Sequence, residues 1–350
     1  MAKYTIKRIA LAIFTTFIIL SLTFVLVKML PFPKPNGTTV AQKYAYYVIQ
    51  EGLGYVYHTD APVPGLEATY IFTNASLGIS GGGSIYFYVY PIFDQYIKWL
   101  VNIFTKWDWG VSNKILPNAN VMAIILDRIP NSIKINIWSV LISVPVGIGL
   151  GILAALKKNT MTDHFISTVI MIFISIPSFI IITLLMLFFC YQNKWLPSKW
   201  PLPTEPIDIR IKAYIIPVVS LSFGSICGYC RYTRAELCDV MASDYLLLAR
   251  TKGLTKTQTV TRHALRNAMV PIFPSILGEF VGILGGSMIL ESLYGIPGIG
   301  DLFISAIKDN DLNVLFVDMA LFTCISLLAG VVIDLSYGFI DPRIRMGAKK

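Results

Sequence analysis

The sequence predicts an all-α polytopic membrane protein of six transmembrane helices, with an extracellular, partly β insertion between the first helix and the second. Hydrophobic residues fill 55% of its 350 positions and charged residues 14%. With a mean hydropathy of +0.65, the chain is too apolar for a soluble globule. Uncharged runs of over twenty residues, 135–156 and 165–190 among them, are each long enough to cross a bilayer. The formal charge of +9 gathers in loops and tails, the pattern of a membrane protein with basic cytoplasmic segments rather than of a nucleic-acid-binding surface.

Lys3, Lys7 and Arg8 precede an apolar run over 9–30 that only Lys28 interrupts. It is too long for a signal-peptide core, so it reads as an uncleaved first helix with its N-terminus inside. Lys28 snorkels to the far interface. The region 31–130 is predicted to lie outside. Pro31-Phe-Pro-Lys-Pro35 opens it, and Tyr55-Val-Tyr57, Thr69-Tyr-Ile-Phe72 and Ile85-Tyr-Phe-Tyr-Val-Tyr90 have strand composition. Pro62-Val-Pro-Gly65 and Gly81-Gly-Gly83 punctuate them as turns. From Ile92 the sequence reads as helical or irregular.

The second span, 135–156, carries Gly147, Gly149 and Gly151, small residues that let helices approach closely. The third, 165–190, is interrupted by Pro177, where a helix kinks or breaks. Trp195-Leu-Pro197 reads as an interface loop. The fourth runs over 213–230, the fifth over 268–290 with Glu279 inside it, and the sixth over 312–338 with Asp318 and Asp334. Six spans return both ends to the inside. The loop 231–267 holds seven cations (231, 234, 250, 252, 256, 262, 266) against three acids (236, 239, 244), whereas the loop after the fifth span holds only Lys308. The resulting organisation is a tail and first helix over 1–30, an extracellular region over 31–130, a membrane core over 131–340 and a cytoplasmic tail over 341–350. The five cysteines lie in or beside hydrophobic segments, and Cys227 and Cys230 lack the second ligand pair of a metal site.

One polar stretch, 235–271, organises the rest. Leu237, Val240, Met241, Tyr245, Leu248 and Ala249 recur at helical spacing and are expected on one helix face. Ser243 and Asp244 suit a first turn, Arg250 and Lys252 a last turn, and Gly253 a left-handed helix end. Thr255 and Gln258 form a capping-box pattern, so a second helix is expected to run to about Asn267, before Pro271.

These residues carry a resemblance. Asp244, Tyr245, Ala249, Arg250, Lys252, Gly253 and Leu254, followed by Arg262, His263, Asn267 and Pro271, resemble the cytoplasmic coupling loop of ABC-importer permeases of the oligopeptide, dipeptide and nickel B-type. Thr251 and Val270 depart from the pattern. Trp109-Gly-Val-Ser112, Asp127-Arg-Ile-Pro-Asn-Ser132, Ile176-Pro-Ser-Phe179, Glu291–Ile299 (ESLYGIPGI, with Tyr294 for the usual Phe) and the 341–345 run Asp-Pro-Arg-Ile-Arg resemble further family signatures. The resemblance implies the type I ABC importer permease fold in a bacterial cytoplasmic membrane, surrounded by membrane lipid, with both termini cytoplasmic. It implies a heterodimer with a second permease, two ABC ATPase subunits holding ATP and Mg, and an extracellular substrate-binding (lipo)protein. It also implies that the 235–271 loop docks on the ATPase.

No catalytic set, metal site, resident cofactor or phosphate-binding loop is evident in the chain, so it reads as a transport subunit and not an enzyme. Intramembrane carboxylates are functional candidates by default because burying them is costly. Glu279 is read either as a pathway or gating group or as a carboxylate paired with a neighbour; Pro177, Glu291, Pro297 and Gly298 are further pathway or gating candidates. The expected cargo is peptide. The alternatives are a nickel chelate or another small solute, or a secondary transporter, which would need inverted repeats or a relay of carboxylates.

Overall fold

The computed structural model describes residues 2–32, 35, 39–78, 80 and 82–340. Pro33, Lys34, Gly81, the 341–345 motif and the tail 341–350 lie outside the described residues, as do the side chains of Lys3, Lys256 and Thr257.

In chain order the elements are α1 (Ala2–Lys28), α2 (Val40–Gly52), β1 (Val56–Thr59), β2 (Tyr70–Thr73), β3 (Ser84–Val89), α3 (Ile92–Lys106) and α4 (Val121–Leu156). There follow α5 (Met161–Ile174), α6 (Ser178–Leu185), α7 (Ile207–Lys212), α8 (Ile215–Met241), α9 (Asp244–Thr251) and α10 (Lys256–Thr259). The last are α11 (Leu265–Gly282), α12 (Met288–Tyr294), α13 (Ile299–Lys308) and α14 (Leu312–Ile340). Among the described residues five helices are long and apolar enough to cross a membrane, and six when the pair Met161–Ile174 and Ser178–Gln192 counts as one span bent by 96°. The bend falls at Pro177, which has no N–H to continue the ladder. The chain is therefore a multi-pass helical membrane protein.

Two span boundaries differ from expectation. The second helix begins at Val121, not near 135, and passes through Pro130 and Pro145. The fifth ends in a 3₁₀ turn, Ile283–Gly285, after which Gly286 takes φ +63°. Residues 286–290, expected inside that span, thus turn away and lead into α12. Periodicity could not show this, since the turn is as apolar as the helix it ends.

The chain divides into two compact units, one holding Phe14–Arg128 and Leu302–Thr323, the other built on Ile129–Asp301 with the first residues of the chain and Cys324 onward. In the first, three antiparallel strands take the order β1-β3-β2, with Val56 opposite Val89 and Tyr70 opposite Phe87. Tyr46 and Tyr47 of α2 pack on Val56, Phe72 and Phe87. Lys28, expected to snorkel, places its ammonium 3.4 Å from the Tyr55 ring centroid, a cation–π contact.

Asp311 organises the loop that carries the Trp109-Gly-Val-Ser112 motif. Fully buried, it accepts hydrogen bonds from the Ser112 hydroxyl (2.5 Å) and the amides of Asn113 (3.0 Å), Lys114 (2.9 Å) and Ile115 (3.1 Å). Asn313 donates to the Val111 carbonyl (2.8 Å) alongside. Sequence reading missed Asp311, whose partners lie some 200 positions away. Asp311→Ala strands these buried donors and should cost roughly 2–4 kcal/mol. Asp311→Asn, which keeps an acceptor, should cost less, and thermal unfolding of the purified subunit ranks the two.

Candidate functional site

The 235–271 stretch holds the end of α8, the short helix α9 and, past a glycine corner, the start of a long helix, which corrects two expectations. Leu237, Val240 and Met241 belong to α8, which ends at Met241. Tyr245, Leu248 and Ala249 belong to the separate helix α9. Ser243 is its N-cap residue in extended conformation, but its hydroxyl donates back to the Val240 carbonyl (2.5 Å) instead of capping α9. The six apolar residues therefore do not share one face, because Ser243 favours leaving the helix over continuing it.

The corner itself follows the expected chemistry. The Gly253 amide donates to the Arg250 carbonyl (2.9 Å) and the Leu254 amide to that of Ala249 (3.4 Å), the paired bonds of a Schellman end. Gly253 has φ +89° with open space where a Cβ would stand, so the backbone angle alone selects glycine. Thr255 and Gln258 then close a reciprocal capping box, with the Gln258 amide on Thr255 Oγ1 (3.3 Å) and the Thr255 amide on Gln258 Oε1 (3.1 Å). The following helix does not stop at Asn267. It passes through α10, a π turn at Val260–Ala264 and α11, with Pro271 and Pro274 inside it.

Leu246, only 2% exposed, anchors α9 on Ala155, Leu237, Val260, Ala264 and Ala268. Its neighbours Leu247 and Leu248 are 64% and 57% exposed, beside exposed Tyr245. Asn267 donates to the Tyr245 hydroxyl (2.7 Å), joining two predicted residues across the corner. Arg250, Lys252, Arg262 and His263 are exposed, and Ala249 and Leu254 are half-buried. The result is a small surface on which exposed apolar and basic side chains stand side by side.

Glu279 occupies a different environment. It accepts hydrogen bonds from the Ser225 hydroxyl (2.6 Å) and the Tyr229 hydroxyl, both on α8. With Arg231, Tyr232 and Ser275 these residues line a cavity of about 510 Å³. Glu279 is therefore both paired with a neighbouring helix and exposed to an open, largely apolar cavity that carries a few polar groups.

Glu291 is a buried organiser of backbone. Its carboxylate accepts from the amides of Ser287 (3.0 Å), Gly300 (2.8 Å) and Asp301 (3.3 Å) and from Ser132. Burial pushes its pKa above the ordinary carboxylate range against the pull of those donors. A Cβ on Gly298 or Gly286 would collide with that carboxyl group. Asn131 donates to the Pro297 carbonyl (2.9 Å), and the Ile299 amide to Ser132 Oγ (2.9 Å). The two motifs containing these residues thus close on each other. Tyr294 uses the hydroxyl that a Phe would lack to donate to the Pro197 carbonyl (2.7 Å).

Two further contacts hold α8 in place. Added Cβ atoms on Gly147 and Gly151 would meet the Ile226 carbonyl at 2.8 Å and the Cys230 carbonyl at 2.7 Å, so α4 and α8 touch along their backbones there. Arg234 makes a bidentate ion pair with buried Asp163 (2.6 and 2.8 Å), which the sequence did not reveal because the partners lie on different helices. Cys227 and Cys230 are free, buried and packed with Ala154, Ile166 and Ile170.

Comparisons with known proteins agree on a family. Residues 147–346 match the model of the binding-protein-dependent transport system inner membrane component. The chain is 32% identical over 354 aligned positions to a dipeptide transport system permease protein, DppB, of Bacillus subtilis, covering all of both chains. It is 33% identical over 256 positions to the oligopeptide transport system permease protein OppB of Salmonella typhimurium, covering 73% of this chain and 81% of that one. In fold it resembles a chain of the MetNI methionine ABC transporter, solved in inward-facing conformations. There the TM-score is 0.51 at 16% identity, over 63% of this chain and 97% of that chain.

At the corner, Gly253→Val forces a β-branched residue into the left-handed region and should shift the second helix against α9. The variant should insert normally but lose substrate-stimulated ATP hydrolysis and uptake in the reconstituted complex. Ala249→Glu should do the same, and Lys256→Gln should be mild. Wild-type coupling in both Gly253→Val and Ala249→Glu would remove the corner from the site.

Proposed function

The chain belongs to the family of binding-protein-dependent transport system inner membrane components, and from that premise we propose that it works as the transmembrane permease subunit of an ATP-driven peptide importer. The observation that carries this reading is the helix–glycine–helix corner at Tyr245–Asn267, on a chain that matches a dipeptide permease over its full length. ATP and Mg act in partner ATPase subunits, and the substrate arrives on an external binding protein.

The finer assembly is a heterodimer with a second permease, two ATPase subunits on the cytoplasmic side and the binding protein on the other. Both termini and the 231–267 loop face the cytoplasm, in keeping with the loop's seven cations. The tract 31–130 is external and contacts the binding protein or the substrate entrance.

In this reading Tyr245, Leu247 and Leu248 dock on an ATPase subunit. Arg250, Lys252, Arg262 and His263 supply donors and positive charge around the apolar contact. Closure of the ATPase pair pulls on α9, and the Leu246 anchor carries that pull into α8 and α11. The same two helices hold Ser225, Tyr229 and Glu279, so motion at the corner reaches the cavity beside Glu279, which forms part of the translocation pathway. A chamber whose wall carries both a carboxylate and the Arg231 guanidinium suits a cargo with charged ends. Glu291, Pro297 and Gly298 act on the pathway indirectly, by fixing the loop between α12 and α13. Pro177 supplies the bend at which the third span moves.

Two measurements test this reading. Glu279→Gln keeps the shape of the side chain and removes its charge. In proteoliposomes with both permeases, the ATPase pair and the binding protein, it should lower peptide uptake at least several-fold while basal ATP hydrolysis persists. Unaltered uptake removes Glu279 from the pathway. For orientation, a single cysteine at Thr257 should resist impermeant thiol reagents in intact cells and react in inverted vesicles. Labelling in intact cells inverts the proposed topology.

A further inference from the structure

Helix α3, Ile92–Lys106, follows the β-sheet and is too short to cross a membrane. Phe93, Ile97, Val101 and Phe104 recur along it every three or four residues and are all exposed, Phe93 at 71% and Phe104 at 77%. At 3.6 residues per turn they form a stripe roughly 100° wide. The opposite face is buried through Gln95, Trp99 and Ile103. Between these faces runs a polar flank of Asp94, Lys98, Asn102 and Thr105.

What α3 packs against fixes its depth. Trp99 stacks on Phe24 of α1 with ring centroids 4.8 Å apart and meets Phe316 of α14 at 5.4 Å. The Tyr96 hydroxyl is hydrogen-bonded to Ser21 Oγ at 2.7 Å. Ser21 and Phe24 lie within the apolar span Thr5–Lys28, and Phe316 lies within Leu312–Ser336. At about 1.5 Å per residue, Ser21 and Phe24 sit roughly 6–11 Å inside the end of α1 marked by Lys28. A helix seated against them is below the membrane surface, where an exposed row of Phe, Ile and Val meets hydrocarbon and not water.

We propose that α3 is an interfacial membrane helix whose Phe93–Ile97–Val101–Phe104 stripe rests on phospholipid acyl chains in the leaflet that α1 reaches at Lys28. Lipid is favoured over a protein partner by continuity. The same stretch of α1 exposes Leu22, Val25 and Leu26, so the stripe extends an apolar surface that already belongs to a membrane span. Exposed Lys106 and Trp107 at the end of α3 add the cation and aromatic ring that settle at a headgroup boundary. The Thr105 hydroxyl donates to the Val101 carbonyl (2.6 Å) and so needs no water. The polar flank points to a helix lying in the plane of the interface, one edge wet and one in lipid. The helix then holds the sheet-bearing unit down on the bilayer independently of any partner.

The test uses the unmodified complex in vesicles containing a phospholipid with a photoreactive diazirine on its acyl chain. After irradiation, mass spectrometry should find adducts on Ile97, Val101 and Phe104 as it does on Leu22 and Leu26, and none on Gln95 or Asn102. Adducts on α1 with none on α3 would overturn the proposal. A second arm places a nitroxide on Cys324→Ser/Phe104→Cys, in which the remaining native cysteines are buried. Collision with oxygen should exceed collision with a water-soluble nickel chelate. The reverse order puts the stripe in water, and an immobilised label reached by neither quencher puts it under a partner protein. Either result sinks the proposal.

Discussion

The backbone contact between α4 and α8 at Gly147 and Gly151 is the constraint on which the membrane core depends. Where a side chain would stand on α4, the Ile226 and Cys230 carbonyls and the Tyr229 and Thr233 side chains of α8 already stand. In a bilayer, apolar side chains gain little by leaving lipid for one another, so close backbone approach and the dispersion it allows carry much of the association. The location of α8 then sets the rest of its unit. Its middle turns bring Ser225 and Tyr229 to Glu279. Its next turns bring Arg234 to Asp163, and its end offers Leu237 and Cys238 as the bed for Leu246. Of the three glycines in this part of α4, Gly147 and Gly151 are crowded in this way, whereas Gly149, on the other side of the helix, faces open space.

The buried acids divide by what they hold. Asp311 gathers backbone amides from a loop far away in sequence, Glu291 gathers those of the turns on either side of its own short helix, and Asp163 takes a bidentate guanidinium and the Asn159 amide (2.9 Å). Charge-assisted bonds of this kind are strong and directional, and they fix irregular backbone that could not otherwise remain buried. Glu279 differs in kind. Two hydroxyls hold it, no amide among the described residues does, and it borders a roomy, largely apolar cavity. Hydroxyls rotate and can exchange partners, which a set of converging amides cannot do, so of these acids Glu279 is held least rigidly, in keeping with the pathway role proposed for it. Asp334 pairs with Arg8 at 2.9 Å, a contact between the two ends of the unit.

Much of the fold was legible because local chemistry is stated locally. Apolar run length gives the spans, Pro177 gives the 96° break, Gly253 gives the corner, and Thr255 with Gln258 gives the cap. The family resemblance was equally plain from the run Asp244 to Pro271. What remained hidden was non-local. Asp311 and Ser112, Glu291 and Ser132, and Asp163 and Arg234 are each separated by dozens of positions or more, and nothing in either member names the other. Helix ends inside apolar sequence were misplaced for a related reason. The turn at Ile283–Gly286 uses residues that a continuing helix would also accept. Conversely Pro271 looked like a terminus, whereas a membrane helix tolerates it as neighbours re-satisfy the freed carbonyl.

That continuity through Pro271 bears on how the proposed coupling surface works. From the capping box at Thr255 through the π turn and α11 the chain is one helical rod of about 40 Å, at roughly 1.5 Å per residue. Tyr245 is tied to its first half by Asn267, and Glu279 sits on its second. Pro271 removes the bond to the carbonyl of Asn267 itself, and Pro274 the bond to that of Val270. The rod is therefore softest between the residue that receives the corner and the residue that lines the chamber. A fully stiff rod would deliver every displacement of α9 to the chamber unchanged, and a broken one would deliver none. In the proposed coupling, a helix intact in its ends and missing two bonds in its middle passes a shift at the corner to the wall around Glu279 as a bend, with α8 drawn at its Leu237 end and held at the Gly147 and Gly151 contacts.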